Sequence, residues 1–225
     1  MAATATRRRR SRPGRRLLAH DRELGVRFVA GADEAGRGCL AGPLVAAAVC
    51  FDIDRLRGRR CAALGLLDDS KRHTPARRDE LFQAVIESAA QVAVCVVPAS
   101  EIDRRGLHRS NLWALGRALC SLDPEPDVCM TDGFSVPGCA RRHRAVVGGD
   151  GRSAAIAAAS IVAKVTRDRF MHRIAPDYPE FRFDRHVGYI TAEHTRAVRE
   201  HGPTPLHRRS FEAIAYAQLD LDLGL

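Results

Sequence analysis

Four acidic residues stand where short apolar segments of the sequence end, and they are the side chains best placed to do chemistry. Asp33 and Glu34 lead directly into a glycine-flanked turn, Ala35-Gly36-Arg37-Gly38, while Asp132 and Asp150 each follow a later apolar segment. Open α/β sheets place ligands beyond the carboxyl ends of their strands. If the three segments are strands of one sheet, we expect the four carboxylates to converge at one edge.

A cluster of four carboxylates needs cations, because like charges held close together repel one another. Mg²⁺ and Mn²⁺ are the natural partners, since both ions prefer oxygen ligands. Two such ions about 3.5 to 4 Å apart can activate water and stabilise the leaving oxygen in phosphodiester hydrolysis. Taken singly, each acid is better explained as a turn or helix-cap residue. Only their shared position favours a metal site.

The adjacent pair adds a structural requirement. Successive residues of a regular strand point to opposite faces of the sheet. Convergence of Asp33 and Glu34 therefore predicts that the regular strand stops at Asp33 and that the following turn redirects Glu34. The glycines of that turn would also let the backbone approach a ligand closely.

Strands and helices must alternate along the chain to position these acids. Apolar and β-branched runs predict strands over 28–33, 44–51, 92–97, 128–131 and 145–147. Helical periodicity predicts helices over 75–89, 111–122, 152–172, 192–200 and near 211–216. The short glycine-rich connection makes the first two strands antiparallel neighbours. The fold class is therefore α/β: a mixed β-sheet flanked by helices, with a C-terminal helical extension.

The net charge of +9 is concentrated at the N-terminus, where residues 1 to 16 hold seven arginines and no acid. Subtracting those seven leaves +2 for the rest of the chain, so the charge alone does not make the folded part a nucleic-acid binder. We predict a basic, disordered tail over 1–25 that binds phosphates loosely, with an organelle transit peptide as the minor alternative. A single domain is expected over 26–217 and a flexible tail over 218–225.

Composition also excludes several classes of protein. No run reaches the roughly 18 consecutive apolar residues of a membrane span. The seven cysteines include no C-x-x-C pair, which indicates reduced packing residues and a cytoplasmic protein. We also expect the enzyme to be a monomer. Of the 36 basic residues only Lys71 and Lys164 are lysines, so these two positions are candidates for sites that need a compact ammonium, with chance as the alternative explanation.

Seven motifs occur in order between about Val29 and Phe211. They are Gly31-Ala32-Asp33-Glu34-Ala35-Gly36-Arg37-Gly38, Asp69-Ser70-Lys71, Thr131-Asp132-Gly133, Gly149-Asp150, Ala157-Ala158-Ala159-Ser160-Ile161-Val162-Ala163-Lys164-Val165-Thr166-Arg167-Asp168, His186-Val187-Gly188-Tyr189 and His207-Arg208-Arg209-Ser210-Phe211. Each motif is weak alone, but the ordered set is highly specific. With it the chain resembles bacterial ribonuclease HII, the type 2 ribonuclease H family.

The resemblance implies a ribonuclease H-like fold and a defined activity. Family members cleave the RNA strand of RNA–DNA hybrids endonucleolytically and incise 5′ of ribonucleotides embedded in duplex DNA, which leaves 5′-phosphate and 3′-hydroxyl ends. Such an activity serves ribonucleotide removal and the processing of RNA primers and hybrids. The catalytic and metal-binding residues would be Asp33, Glu34, Asp132 and Asp150, with Mn²⁺ or Mg²⁺ as cofactor and two ions when substrate is bound.

The resemblance also implies substrate contacts. Gly36, Arg37 and Gly38 would read the 2′-hydroxyl at the RNA-to-DNA junction, the feature that distinguishes RNA from DNA locally. Tyr189 would stack on the neighbouring deoxyribose. Backbone phosphates would be contacted by Ser70 and Lys71 and, as further candidates, by Lys164, His207 and Arg208.

Each of these roles has a plainer alternative. Arg37 would otherwise be an ordinary surface arginine, Tyr189 a buried aromatic residue, and Lys71 and Lys164 solvated charges. The histidines lack compact metal-ligand spacing, which favours structural or phosphate-contact roles for His186, His194 and His207.

The chain departs from the family pattern at two positions. Cys39 stands where proline commonly follows Gly-Arg-Gly, and Gly148 stands where lysine commonly precedes the Gly-Asp pair. Loss of that lysine removes a cation close to the reacting phosphate. We expect retained activity with a changed rate or metal dependence.

The C-terminal segment Gln218–Leu223 is similar to peptides that hold the sliding clamp of bacterial replication, although a leucine-rich frayed terminus is the simpler interpretation. Two other classes of function fit the sequence less well. A nucleic-acid-binding module without catalysis is disfavoured by the four intact acids. A nucleotide-binding α/β protein is disfavoured because Gly36, Gly38 and Gly42 do not match G-x-G-x-x-G.

Overall fold

The computed structural model describes residues 13–68, 70 and 73–211. Within these ranges one five-stranded sheet has the order β3-β2-β1-β4-β5. Its strands are β1 (Phe28–Ala35), β2 (Leu44–Asp52), β3 (Gln91–Val97), β4 (Val128–Asp132) and β5 (Arg144–Val146). The β1–β2 and β2–β3 pairs are antiparallel, whereas β1–β4 and β4–β5 are parallel. The predicted mixed sheet and the antiparallel first pair are confirmed.

Eight α-helices accompany the sheet in the described part of the chain. They are α1 (Pro13–Glu23), α2 (Gly58–Ala63), α3 (Pro75–Ser88), α4 (Ala99–Arg105), α5 (Leu107–Cys120), α6 (Ala154–Ile174), α7 (Phe183–His186) and α8 (Ala192–His201). The sequence did not predict α1, α2, α4 or α7, and α5 begins four residues earlier than expected. None of the helices in the described ranges is long and apolar enough to cross a membrane.

Helices cover both faces of the sheet, and β2 is buried along its whole length. Its alternate residues join two separate clusters: Val45 and Val49 pack on the α6 side, whereas Leu44 and Ala46 pack on the α5 side. The alanines of α6 let this helix approach β1 very closely. A Cβ at Gly31 would overlap the backbone of Ile156, so only glycine permits this approach.

A third apolar cluster lies beside the sheet and contains the C-terminal helices. Phe181, Phe183 and Val198 pack there against Leu40 and Met171. Residues after β1 are thereby joined to the end of α6 and to the last third of the chain. The predicted C-terminal helical extension is confirmed up to Phe211, while the expected helix to residue 216 and the tail over 218–225 lie outside the described residues.

The prediction of a disordered tail through residue 25 is wrong for residues 13–23, which form α1. Leu17 and Leu18 of this helix are buried in the main core. The buried carboxylate of Asp21 accepts a hydrogen bond from the backbone N–H of Ala155 at 2.9 Å. An acid at this position complements the positive end of the α6 dipole. The folded domain therefore includes α1, and only residues 1–12 of the predicted tail lie outside the described residues.

Candidate active site

A cavity of about 440 Å³ opens at the end of the sheet, where β1 and β4 stop. All four predicted acids line it: Asp33 and Glu34 from β1, Asp132 from the last position of β4, and Asp150 from the turn before α6. The same cavity is lined by six residues for which the sequence predicted substrate contacts, namely Gly36, Arg37, Gly38, Ser70, Lys164 and Tyr189. Residues far apart in the sequence thus meet in one place.

The convergence of the adjacent acids does not arise as predicted, because β1 continues in register with β2 up to Ala35. Asp33 interacts with Ser160 on the α6 side, and Glu34 lies near Asn111 on the α5 side, so normal alternation is kept. The parallel pairing of β1 with β4 ends at Ala32. Beyond that residue no described strand covers this side of β1, and the cavity spans both faces of the sheet end.

The electrostatics of the pair are unfavourable without a cation. Burial raises the pKa of Asp33 well above its usual range, and the charges of Glu34 and Asp132 raise it further. Burial also raises the pKa of Glu34, against the opposing effect of the Arg37 guanidinium, whose Nη1 lies 3.5 Å from Glu34 Oε1. Holding both carboxylates ionised in this cavity therefore costs free energy that a bound cation would recover.

The remaining acids are held by their local backbone. Asp132 Oδ1 accepts a hydrogen bond from the Gly149 N–H at 2.6 Å. A Cβ at Gly149 would crowd Ile156 of α6, which explains why glycine precedes Asp150. Asp150 itself lies in a single 3₁₀ turn, Gly149–Gly151, and is half-buried. The loop after β5 is thus drawn onto the end of β4.

The chemistry of the donor set fits a hard divalent cation. Four carboxylates line the cavity, and Glu34 Oε2 is buried with no hydrogen-bond partner among the described residues. As the side chains stand, the described part of the chain contains no group of three His, Cys, Asp or Glu residues arranged to hold one ion. Small rotations of the carboxylates would accompany binding, because Asp33 and Asp132 each accept a backbone hydrogen bond here.

The turn after β1 forms one wall of the cavity. Gly36 has a φ of +92°, a conformation that favours glycine, and a Cβ there would overlap the Arg167 side chain beneath it. A Cβ at Gly38 would meet nothing within 4 Å, so this position is open to an approaching ligand. The Arg37 guanidinium carbon lies 4.8 Å from the centroid of the Phe134 ring, which orients it across the cavity.

Lys164 and Tyr189 lie together in the same cavity. Lys164 Nζ lies 4.9 Å from the Tyr189 ring centroid and 2.8 Å from Asp168 Oδ1. Only 12% of the Lys164 side chain is exposed, so the alternative of a fully solvated lysine is wrong. Cys39, which is fully buried, forms a β-bridge with Tyr189 and ties it to the turn after β1.

The predicted phosphate contacts divide into two groups. Ser70 lies in the cavity, with its Oγ 3.0 Å from Ser160 Oγ, whereas Lys71 lies outside the described residues. The phosphate contacts predicted for His207 and Arg208 are not supported, because 3% and 0% of these residues are exposed. Their side chains are engaged inside the protein: His207 bonds to His194, and Arg208 bonds to backbone carbonyls.

Three side chains that the sequence analysis did not single out also lie at the site. Ser160 belongs to the motif over 157–168 and lies one helical turn before Lys164 on α6, so its position in the sequence could have indicated that it faces the site. Phe134 carried no local signal, since it reaches the cavity through the loop after β4. Asn111 is fully buried and favours the ionised form of Glu34, although its amide has no hydrogen-bond partner among the described residues.

Comparison with known proteins places this arrangement in a family. The family model described as Ribonuclease HII matches residues 30–214. Among curated proteins, the chain is 51% identical over 202 residues to Ribonuclease HII of Salinispora tropica, with 88% of this chain and 73% of that protein covered.

Solved structures agree with the sequence comparison. The ribonuclease H2 from Pyrococcus horikoshii superposes with a TM-score of 0.70 at 28% identity, covering 85% of this chain and 98% of that one. The RNase HII of a PCNA:RNase HII complex from Archaeoglobus fulgidus gives a TM-score of 0.65 at 27% identity, with 81% and 94% covered. The chain therefore shares its overall fold with these proteins.

Proposed function

Because this chain belongs to the ribonuclease HII family, we propose that Asp33, Glu34, Asp132 and Asp150 are its catalytic residues and bind the divalent metal required by the reaction. The enzyme is an endoribonuclease of the ribonuclease H class that acts on RNA–DNA hybrids. The observation that carries the assignment is the meeting of all four carboxylates in one cavity beside the Gly36–Gly38 turn.

The proposed reaction is hydrolysis of a phosphodiester bond to a 5′-phosphate and a 3′-hydroxyl. Bound Mg²⁺ or Mn²⁺, as two ions when substrate is present, would supply Lewis-acid polarisation of the phosphate and a more acidic water. The four carboxylates would hold this charge in place, and a bound cation would offset the mutual repulsion that helps to raise the pKa values of Asp33 and Glu34. Lys164 lies on the same cavity and would offset phosphate charge.

Recognition of a ribonucleotide is proposed to rest on the Gly36–Gly38 turn. Gly38 leaves open space for close approach, so backbone groups of the turn can reach a 2′-hydroxyl. Tyr189 lines the same cavity, and we propose that its ring packs on the adjacent deoxyribose. Ser70 would contact the backbone phosphate, and the same role is proposed for Lys71. Incision 5′ of a single embedded ribonucleotide is consistent with the family to which the chain belongs, and we propose it for this enzyme.

The test is incubation with a DNA duplex that carries one ribonucleotide, with and without Mg²⁺ or Mn²⁺. Metal-dependent incision is expected for the wild-type protein and is expected to be lost in Asp33→Asn and Asp132→Asn. An all-DNA duplex of the same sequence is the matched substrate control. Equal cleavage of that duplex, or full activity in both variants, would overturn the proposal.

A sliding clamp is proposed as a partner through Gln218–Leu223, which lies outside the described residues. Support comes from the similarity of this segment to clamp-binding peptides and from the structural neighbour that is itself in a complex with PCNA. Deletion of residues 217–225 is expected to abolish clamp capture without reducing hydrolysis. Absence of capture by the intact chain would contradict the partner assignment and leave the hydrolytic assignment untouched.

A further inference from the structure

Two fully buried arginines lie directly beneath the turn that lines the cavity. Arg167 comes from α6 and Arg208 from the C-terminal part of the chain, and 0% of either residue is exposed. Buried charges in proteins are normally paired with an opposite charge. Among the described residues, neither guanidinium has a carboxylate within ion-pairing distance.

Arg208 is bonded to the backbone of the segment from Gly36 to Pro43. Its Nε and Nη2 donate to the Gly42 carbonyl at 3.1 and 2.9 Å, and its Nη1 donates to the Arg37 carbonyl at 2.9 Å. The Arg208 backbone N–H also donates to the Leu40 carbonyl at 2.8 Å. Arg208, near the end of the described chain, therefore holds the segment from Gly36 to Pro43 close to both of its ends.

Arg167 holds the same segment from the other side. It donates to the carbonyls of Pro43 at 3.0 Å and Ala41 at 2.9 Å, and to the carbonyl of Val187 at 2.8 Å. The Arg167 side chain fills the space beneath Gly36, where no Cβ would fit. Its guanidinium also lies 5.6 Å from the Tyr189 ring centroid, so the Arg167 side chain lies close to both the turn and Tyr189.

This arrangement is costly if its only role is to fill space. Burial and the neighbouring charge of Arg167 lower the pKa of Arg208 to about 10, which shows that the cation is held against its preference for water. Apolar side chains of similar volume commonly replace buried charges without loss of stability. What apolar side chains cannot do is fix several carbonyl groups in one geometry, and the planar guanidinium fork does this well.

We propose that Arg208, together with Arg167, is a positioning residue for ribonucleotide recognition, which fixes the Gly36–Gly38 turn so that it accepts a nucleotide carrying a 2′-hydroxyl. The inference rests on the proposed function of that turn and adds the residues that determine its specificity. Arg208 gives the sharper test, because it bonds the Arg37 carbonyl directly and lies outside the helix that packs on β1.

The experiment compares Arg208→Lys with Arg209→Lys, a matched change at the exposed neighbouring residue. Steady-state kinetics are measured on a duplex with one ribonucleotide, and the all-DNA duplex of the same sequence is used as a competitive inhibitor. Lysine keeps the charge but lacks the planar fork. We expect kcat/KM of Arg208→Lys to fall by about 10- to 100-fold, the usual effect of misplacing a substrate by about 1 Å. The inhibition constant of the all-DNA duplex and the Mn²⁺ concentration for half-maximal rate should stay unchanged.

Several results would overturn the inference. A kcat/KM for Arg208→Lys equal to that of Arg209→Lys would do so. A loss of affinity for the all-DNA duplex as large as the loss of kcat/KM would also do so, because it indicates general damage to duplex binding. If Arg208→Lys does not fold, Arg208→Gln is used, since the neutral amide can still donate to Gly42 and carries no buried charge; failure of both variants to fold would assign Arg208 to stability alone. An inactive wild-type protein would instead refute the proposed function.

Discussion

Two clusters of buried titratable residues lie within this domain, and they have opposite hydrogen-bonding characters. The carboxylate cluster around Asp33 and Glu34 lines an open cavity, and Glu34 Oε2 has no partner among the described residues. The histidine cluster of His186, His194 and His207 is also buried, but its rings are stacked and bonded: the His186 and His194 centroids are 4.4 Å apart. Both clusters have strongly shifted pKa values, yet only one has room for a ligand.

The hydrogen bonds of the histidine cluster define one consistent set of tautomers. His207 Nδ1 accepts from the Thr204 N–H, so its Nε2–H donates to His194 Nε2 at 3.0 Å. His194 Nδ1–H in turn donates to the Tyr189 carbonyl at 2.8 Å. Both ring nitrogens of His186, His194 and His207 therefore have partners, and this set of tautomers leaves the three rings neutral. A shifted pKa therefore marks structure when the partners are complete and a candidate site when they are not.

The largest expected effect comes from Asp33→Asn. Incision should fall by on the order of 10³-fold or more, since metal-held charge contributes several kcal/mol to such reactions. Thermal stability should be unchanged or higher, because the substitution removes a buried charge repelled by Glu34 and Asp132. Thermal unfolding and single-turnover incision on the same preparations measure both, with exposed Asp54→Asn as the control. A destabilised and still active variant would make this cluster structural, like the histidines.

Gly36→Ala should have the next largest effect. The added Cβ overlaps the Arg167 side chain at a φ of +92°, so the turn must move. We expect incision to fall by about 100-fold, in line with a shift of about 1 Å at a reacting centre. Gly25→Ala is the matched control, since Gly25 also has a positive φ but has open space at its Cβ position. Equal activity in the two alanine variants would show that the packing of Arg167 does not set the turn.

The histidine cluster predicts a pH dependence of stability. Burial lowers the pKa of His194 to about 3 and that of His207 to about 4, below their unfolded value near 6.5. The unfolded chain therefore binds more protons between pH 6.5 and about 4, and these residues remove stability as the pH falls through that window. Their contribution to the free energy of unfolding should drop by a few kcal/mol, given about 1.4 kcal/mol per proton and pH unit.

His194→Asn isolates this contribution from the acids, whose raised pKa values act in the opposite direction. Urea unfolding between pH 8 and pH 4 should show a less stable variant at pH 8 with a shallower loss below pH 6.5. Exposed His172→Asn is expected to follow the wild-type curve. Parallel curves for all three proteins would contradict a neutral, buried histidine cluster.

Gly148→Lys should have the smallest effect. Gly148 has a φ of +60° and open space at its Cβ position, so a side chain costs only about 1 kcal/mol of backbone strain. The new ammonium would stand two residues before Asp150 and should change turnover or the required Mn²⁺ concentration a few-fold, since a charge-assisted contact adds about 1 kcal/mol. Gly148→Gln controls for the strain. Identical turnover and metal response in both variants would show that the lost family lysine has no bearing on this enzyme.

The strands and the four acids were predictable because both depend on local sequence: apolar runs form the sheet, and acids follow them. The manner in which Asp33 and Glu34 converge was not predictable, because it depends on where β4 stops beside β1. Helix α1 was missed because its arginines concealed the Leu17-Leu18 pair that is buried in the core. The role of Arg208 was hidden for a related reason. In the sequence of a nuclease an arginine suggests a phosphate contact, and only the structure shows that this one is buried and bonded to backbone carbonyls.

Calorimetric titration of Mn²⁺ into the wild-type protein and into Asp132→Asn measures whether the four carboxylates bind metal as one site. Asp54→Asn serves as the control for removal of an acid at the surface. We predict saturable Mn²⁺ binding to the wild-type and Asp54→Asn proteins, with affinity lowered at least about tenfold in Asp132→Asn, as expected when one charged ligand is lost. Equal Mn²⁺ affinity in all three proteins would show that Asp132 does not belong to a metal site.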